Sequence, residues 1–437
     1  MKARTVAVIG GGPMGLATAY YLCQKGYAVK LFEKDVCLGG MSTSFDFDGV
    51  SIEKYYHFVN RPDEDLFALL RELGMEQELR WRETKMGFFR RSAGDGTSRV
   101  HPWGNPLALL ALHDIPLLTR LRYGLHAFSC KFIQDLLPLD AVSAKDWIQR
   151  WEGEAGYNLL WRPLFAKKFF ELSEPLSAAW IASRIRRVAN SRKSLMCEEL
   201  GYLEGGSQSL IAALEREIRV KDGEIFCHCP VQHIRKEDTG FCLETVAGCH
   251  SHIASVVCTV PLPYIQSLVP SLPQEYMQKV QQIHNIGVAC ALFRLEKPLT
   301  NNFWLNIDMP DWDIPGIIEY SNLRPMQAAH LYIPFYMPHT HANWQANDDK
   351  LLDKARMYMR MINADAAQTE QAARLFRYTY AQPVCPPHFR QALPAYQTGI
   401  DGLYIADTTH SFPEDRSIQE SVRIAQSLAQ CCCEYMQ

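Results

Sequence analysis

Gly10, Gly12 and Gly15 stand in Gly-x-Gly-x-x-Gly spacing directly after the apolar run Thr5-Val6-Ala7-Val8-Ile9, and no other feature restricts the fold as much. The run reads as a short, buried parallel strand. Met14 to Gln24 reads as a helix, with Leu16, Ala19, Tyr20 and Cys23 at helical intervals and Gly26 as its terminator. Ala28 to Phe32 reads as the next strand, with Glu33 at its end. In such a unit Gly10 makes the tight turn, Gly12 admits a pyrophosphate to the backbone, and Gly15 brings the helix close to the sheet. The helix start at Pro13 and Met14 directs free N–H groups and a positive dipole end at phosphates. Glu33 lies 18 residues past Gly15. A carboxylate there accepts the ribose hydroxyls and repels a 2′-phosphate, which argues against NADP. The glycine spacing alone is a weak signal; the strand, helix, second strand and acid around it make it a dinucleotide site.

The next segment separates FAD from NAD. After Glu33-Lys34, a second glycine pair, Gly39-Gly40, is followed by Met41, Ser42 and Thr43. It lets another backbone stretch run close to an extended ligand, which an NAD site does not need. A plain turn is the competing reading. The theme returns at the far end: Gly402 to Ala406 reads as a strand ending at Asp407, a loop follows, and a helix runs from about Ser417 to Cys433. A helix start there suits a flavin, whose N1 and C2 carbonyl gain negative charge on reduction.

These two ends together resemble the flavoprotein family of amine oxidases, protoporphyrinogen oxidases and phytoene-type desaturases, to which UDP-galactopyranose mutase is related. The resemblance covers nearly the whole chain. It implies an α/β fold, with a Rossmann-like FAD-binding domain of the glutathione-reductase type, a mixed-sheet substrate domain and a helical cap. It implies that Gly10, Gly12, Pro13, Met14 and Gly15 hold the pyrophosphate, that Glu33 and Lys34 lie at the adenosine ribose, and that Gly40, Met41 and Ser42 follow along the ligand. Met41 stands where many relatives carry arginine. Tyr202 with Gly205-Gly206 is similar to the family's mid-chain signature, Val231 to the valine that meets the adenine, and Val256 to Pro261 to the strand that returns to the FAD domain. Asp407 matches the acid near the ribityl and pyrophosphate groups, and Ser417 and Ile418 match the helix start under the flavin pyrimidine edge. Further marks are Tyr55-Tyr56-His57-Phe58, Trp161-Arg162-Pro163-Leu164, Tyr380-Ala381-Gln382-Pro383 and Phe412-Pro413-Glu414-Asp415-Arg416, to which no substrate attaches. Amine oxidases usually carry a lysine on the strand beneath the flavin. Gly287 to Leu292 has none, which disfavours an ordinary amine oxidase.

The FAD domain is expected to be discontinuous, over 1–75, 195–265 and 395–437, with a helical cap and substrate domain over 76–194 and a mixed-sheet substrate domain over 266–394. Val288–Leu295, Gly316–Tyr320 and His330–Tyr336 read as strands of that block and Leu351–Ile362 as an amphipathic helix. The helical stretch from Pro106 to Arg187 carries Arg120, Arg122, Arg184, Arg186 and Arg187. They read either as the solvated face of a cap or as a surface for anionic lipid headgroups. With 45 basic and 48 acidic residues, the chain does not point to a nucleic-acid partner. Its 14 scattered cysteines lack zinc spacing, so no metal is expected, and unpaired thiols suit a reducing cytosol. No apolar run approaches the roughly 18 residues of a membrane span. The expected location is cytoplasmic, with contact to the inner face of a membrane as the lipid reading requires.

A flavin carries the redox chemistry itself, so catalytic side chains are hard to read. His57 is a candidate for moving a proton or tuning the ring, against a packed, hydrogen-bonded histidine. Tyr332, Tyr336 and Tyr380 are candidates for an aromatic wall, against ordinary core tyrosines. The leading expectation is an FAD-dependent oxidoreductase that takes hydride from a small organic substrate. The alternatives are a non-redox sugar-nucleotide mutase, with Arg184, Arg186 or Arg377 on a diphosphate, and an FAD-binding protein without turnover. Covalent flavin attachment is not expected: from Asp407 to Ile418 only His410 offers a linking side chain. The substrate, electron acceptor and oligomeric state have no signal in the sequence.

Overall fold

The computed structural model describes residues 5–92 and 96–437. Thr5–Ile9 is the middle strand of a five-stranded parallel sheet, ordered Glu224–Phe226, Ala28–Phe32, Thr5–Ile9, Ser255–Cys258 and Leu403–Ile405. Segments from the two ends and the middle of the chain thus lie side by side. The short apolar strands are covered by helices, which is why they lack polar alternation. Pro13–Gln24 packs against both Ser207–Val220 and Ile418–Met436. Leu22, Leu210, Ile424 and Leu428 share one fully buried core with Val6 and Leu31. Because all five strands run the same way, Gly10, Glu33, Thr259 and Asp407 follow strand ends at one edge of the sheet.

A seven-stranded mixed sheet stands apart from the first. Its order is Glu370–Pro383, Asn285–Leu295, Ala329–Met337, Gly316–Glu319, Trp304–Asp308, Met86–Arg91 and Ser98–Trp103. The period-2 geometry of Asn285–Leu295 divides its side chains. Ala289, Ala291 and Phe293 pack with Leu351, Ala355 and Met359 of the helix Asp348–Ile362. Val288, Cys290 and Leu292 join the main core. The strands and helix expected in this block are all present, each a few residues longer or shorter than expected.

Strands precede the helical stretch in the block 76–194. Leu79–Thr84 pairs with Cys197–Leu203, and Met86–Arg91 and Ser98–Trp103 extend the mixed sheet. These segments are aromatic and β-compatible, and their partners lie far along the chain, so local pattern does not assign them. Helix begins at Pro106 and continues through Leu117–Cys130, Ala144–Gly156, Arg162–Phe169 and Ala178–Asn190.

Both readings of the arginines in this block also need correction. Arg120 is buried and donates to the Leu110 carbonyl, and Arg122 donates to the carbonyls of Trp151 and Arg150. Arg184 pairs with Asp415, Arg186 with Glu414, and Arg187 with Asp63 at 3.0 Å. Arg184, Arg186 and Arg187 tie the block to the C-terminal loop and to Asp63, while Arg120 and Arg122 bond carbonyls within the block, so all five are engaged by protein partners.

Candidate functional site

A cavity of about 1570 Å³ opens at the shared edge of the parallel sheet and runs between the mixed sheet and the helical block. That exceeds the roughly 300–1,000 Å³ of an ordinary small-molecule pocket, so an extended ligand and a second molecule both have room.

The glycines shape the cavity's sheet end. Gly10 has φ +105°, a conformation open to glycine, and a Cβ on Gly15 would stand 1.9 Å from the Gly10 carbonyl oxygen. Gly15 is therefore what allows the helix to approach the strand. A Cβ on Gly12, by contrast, would meet no protein atom within 4 Å. Gly12 faces open cavity, where a ligand's phosphates are the natural neighbour. The second glycine pair is tied to the first, since Gly39 N–H donates to the Gly11 carbonyl at 2.8 Å. Pro13 opens the helix, where its missing N–H costs nothing. Glu33 is buried; its two oxygens accept from Gly11 N–H at 2.6 Å and Asp35 N–H at 2.8 Å. A carboxylate has about four acceptor positions, so capacity for ribose hydroxyls remains.

The C-terminal segment closes the same edge. Asp407 accepts from Leu262 N–H at 2.9 Å and from Thr409 N–H at 2.8 Å, and so clasps the returning strand to the C-terminal loop. Burial opposes its ionisation, yet His410 and those N–H groups hold its carboxyl below the usual range. Ser417 caps the helix Ile418–Met436 through Glu420 N–H, so the helix N-terminus, with Ile418, borders the cavity. Lys34, Gly40, Met41, Ser42 and Val231 also line it.

The cavity is also lined by aromatic rings: Tyr56, Trp304, Tyr336, Tyr378 and Tyr380. His57 is there too, its Nε2 3.3 Å from Ser42 Oγ and its Nδ1 buried without a partner among the described residues. Burial pushes its pKa down against the pull of Glu53, so the imidazole is neutral near pH 7. Tyr380 stands edge-on to Tyr264 at 5.2 Å. Tyr332 lies outside the cavity, and its hydroxyl donates to the Glu53 carbonyl at 2.6 Å. It is a core tyrosine and not part of the wall: it shares a strand face with Tyr336, but its place four residues earlier brings its hydroxyl onto a backbone carbonyl.

Four charged side chains gather here, and of them the sequence offers a ligand role only for Arg184, on the diphosphate of the mutase alternative. Lys168, Arg184, Asp415 and Arg416 all line the cavity. Asp415 pairs with Arg184, and Arg416 donates to Gln382. Burial works against Asp415 ionising, but Arg184, then Lys168 and Arg416, hold its carboxyl far below the usual range. Asp415 and Arg416 stand in a marked stretch of the sequence to which no role attaches. Lys168 gave no signal, because a lysine in an amphipathic helix reads as solvent-facing.

The residues fit FAD. An open Gly12 face, a helix start, a buried ribose-side acid and a second helix start all meet along one continuous wall.

Comparison with known proteins agrees with this reading. Residues 15–432 match the family described as flavin containing amine oxidoreductase. Putrescine oxidase of Kocuria rosea is 26% identical over 261 residues, 56% of this chain and 52% of that protein. The 15-cis-phytoene desaturase of Synechococcus elongatus is 20% identical over 323 residues, 68% of this chain and 66% of that protein. The matched stretches thus span about half to two thirds of those relatives. A provisionally assigned protoporphyrinogen oxidase of Exiguobacterium superposes with a TM-score of 0.76 at 16% identity, covering 100% of both chains, which shows a common fold. The chain belongs to the flavin containing amine oxidoreductase family.

Proposed function

We propose that the chain is an FAD-dependent oxidoreductase that removes hydride from a carbon of a small organic substrate. The observation that carries this is the continuity of the cavity, from the glycine edge into the ring-lined chamber. Bound FAD supplies the hydride acceptor. Around it, Gly12 and the helix start at Pro13 receive the pyrophosphate and Glu33 the ribose. Asp407 and the Ser417-capped helix hold the ring end, and Tyr56 and Tyr336 keep water out. Neutral His57 suits a proton acceptor. This reading keeps 1–75, 195–265 and 395–437 as the cofactor-holding unit.

Two other readings are less well supported. A sugar-nucleotide mutase needs arginines free for a diphosphate, but Arg184 pairs with Asp415, Arg186 with Glu414 and Arg377 with Asp348. A binding protein without turnover has no use for the chamber beyond the cofactor. The test is anaerobic mixing of the purified yellow protein with alcohol, amine, hydroxy-acid and amino-acid panels. Bleaching of the flavin absorbance by one class supports the proposal. Turnover that requires prior dithionite reduction and leaves the substrate's oxidation state unchanged supports the mutase.

Membrane contact stays within this reading, on a different basis. No helix among the described residues is long and apolar enough to cross a membrane. Leu117, Leu118, Leu121, Leu125 and Phe128 are each half or more exposed. They fall within about 100° of arc on one helix face. Co-sedimentation with zwitterionic vesicles, lost in Leu121→Glu, supports such contact; retention of the protein in the supernatant at every lipid concentration refutes it.

A further inference from the structure

We propose that Lys168 is the anchor for a carboxylate group of the substrate, so that this chamber takes an organic anion and not a cationic amine. The proposal rests on the reading of the cavity as a flavin active site and names the substrate class for it.

Lys168 projects from the helix Arg162–Phe169, is 8% exposed and lines the cavity. Three rings cage its Nζ: Trp180 at 5.2 Å, Tyr336 at 5.4 Å and Phe169 at 5.6 Å to their centroids. Among the described residues Nζ has neither a hydrogen bond nor an ion pair. Four groups surround it. Arg184 comes from the helix Ala178–Asn190, Asp415 and Arg416 from the loop before the C-terminal helix, and Cys385 from the end of the long mixed-sheet strand. Asp415 is the one carboxylate of this set, and it is already paired with Arg184; Arg416 is held by Gln382. Burial pushes the Cys385 thiol up and leaves it neutral, so with Lys168, Arg184, Arg416 and Asp415 charged three cations face one anion.

A buried cation without a partner is costly, so such a group gives up its proton or waits for an anion. Burial and then Arg184 push the Lys168 pKa well down, as the first course requires. The second course fits the ring cage, since Lys168 lines the cavity as well as touching the three rings. A carboxylate arriving there restores the pairing and favours the protonated lysine. An ammonium substrate meets the same three cations and is repelled.

The test is a titration of the purified flavoprotein with benzoate, benzamide and benzylamine, which share a ring and differ in charge, followed by the flavin absorbance. The expected result is a spectral perturbation with benzoate that is strongest of the three. In Lys168→Met it weakens by about 10- to 100-fold, as loss of a charge-assisted hydrogen bond implies, and Lys168→Arg largely retains it. Flavin bound stoichiometrically in both variants shows that they fold, and Met replaces an unpaired buried charge with an apolar chain of similar length. Benzylamine binding as tightly as benzoate overturns the proposal, as does unchanged benzoate affinity in Lys168→Met. So does a variant in which the flavin spectrum shifts without ligand while benzoate affinity stays constant. A colourless protein that takes up no flavin defeats the cofactor reading instead, and the two failures are thereby distinct.

Discussion

Gly12 and Gly15 are both glycines of one motif, yet the structure gives their alanine variants opposite consequences. At Gly15 a Cβ meets the Gly10 carbonyl oxygen at 1.9 Å, so the helix must move by about an ångström from the strand it packs on. Overpacking of this kind costs roughly 1–3 kcal/mol, and it burdens the protein whether or not the cofactor is bound. At Gly12 a Cβ meets nothing within 4 Å, and its φ of −73° is one any residue adopts. Alanine is a poorer helix cap than glycine, but it lowers the entropy of the unfolded chain, so the net change in the apoprotein is within about 1 kcal/mol. The same methyl occupies the space a pyrophosphate needs. If displacement there costs roughly 1–3 kcal/mol, FAD affinity falls by about 5- to 150-fold. The assay is urea unfolding of the two apoproteins beside FAD titration by quenching of flavin fluorescence. The expected result is a normal unfolding midpoint with weakened FAD binding for Gly12→Ala, and a lowered midpoint for Gly15→Ala. Unchanged FAD affinity in Gly12→Ala, or apoprotein destabilisation equal to that of Gly15→Ala, refutes the assignment of Gly12 to the ligand.

Other predictions follow from single contacts. Tyr332→Phe removes the hydroxyl bonded to the Glu53 carbonyl; stability should fall by about 1–3 kcal/mol in thermal or urea unfolding, with FAD affinity and turnover unchanged. Asp415→Asn leaves Arg184 unpaired in a partly buried site, for a loss of about 3 kcal/mol. Because the folded pKa of Asp415 is depressed, its contribution is present above the unfolded value of about 3.9 and lost as pH falls, so acid titration of stability should be shallower in the variant. Glu319 behaves the other way: burial pushes its carboxyl up to about 7. Its contribution is full below the unfolded pKa and is lost as pH rises, by up to roughly 3 kcal/mol between about pH 4.3 and 7. Urea midpoints across that range should decline, and the decline should vanish in Glu319→Gln whatever that variant's absolute stability.

Much of the cofactor half was legible in the sequence because its determinants are local. A glycine turn, a helix start and an acid at a strand end lie within one βαβ unit, and the C-terminal strand and helix repeat that grammar. The strands at 79–103 were not legible, since their pairing with 197–203 and 304–308 is set by distant partners. Nor was the substrate half. Tyr332 and Tyr336 look alike in sequence, yet one hydroxyl finds a backbone carbonyl while the other residue faces the cavity. Lys168 acquires its meaning only when three rings from three elements close around it. Arginines that read as surface charge prove to be ties between elements, because their carboxylate partners, Glu414 and Asp415, lie more than 200 residues away.

Hydrogen–deuterium exchange of the apoprotein with and without added FAD addresses the central claim most directly. If one cofactor is gripped by both ends of the chain, FAD slows exchange together in the segment from Gly10 to Leu16 and in that from Asp407 to Ser421. Protection at one end alone, or at neither, contradicts the account.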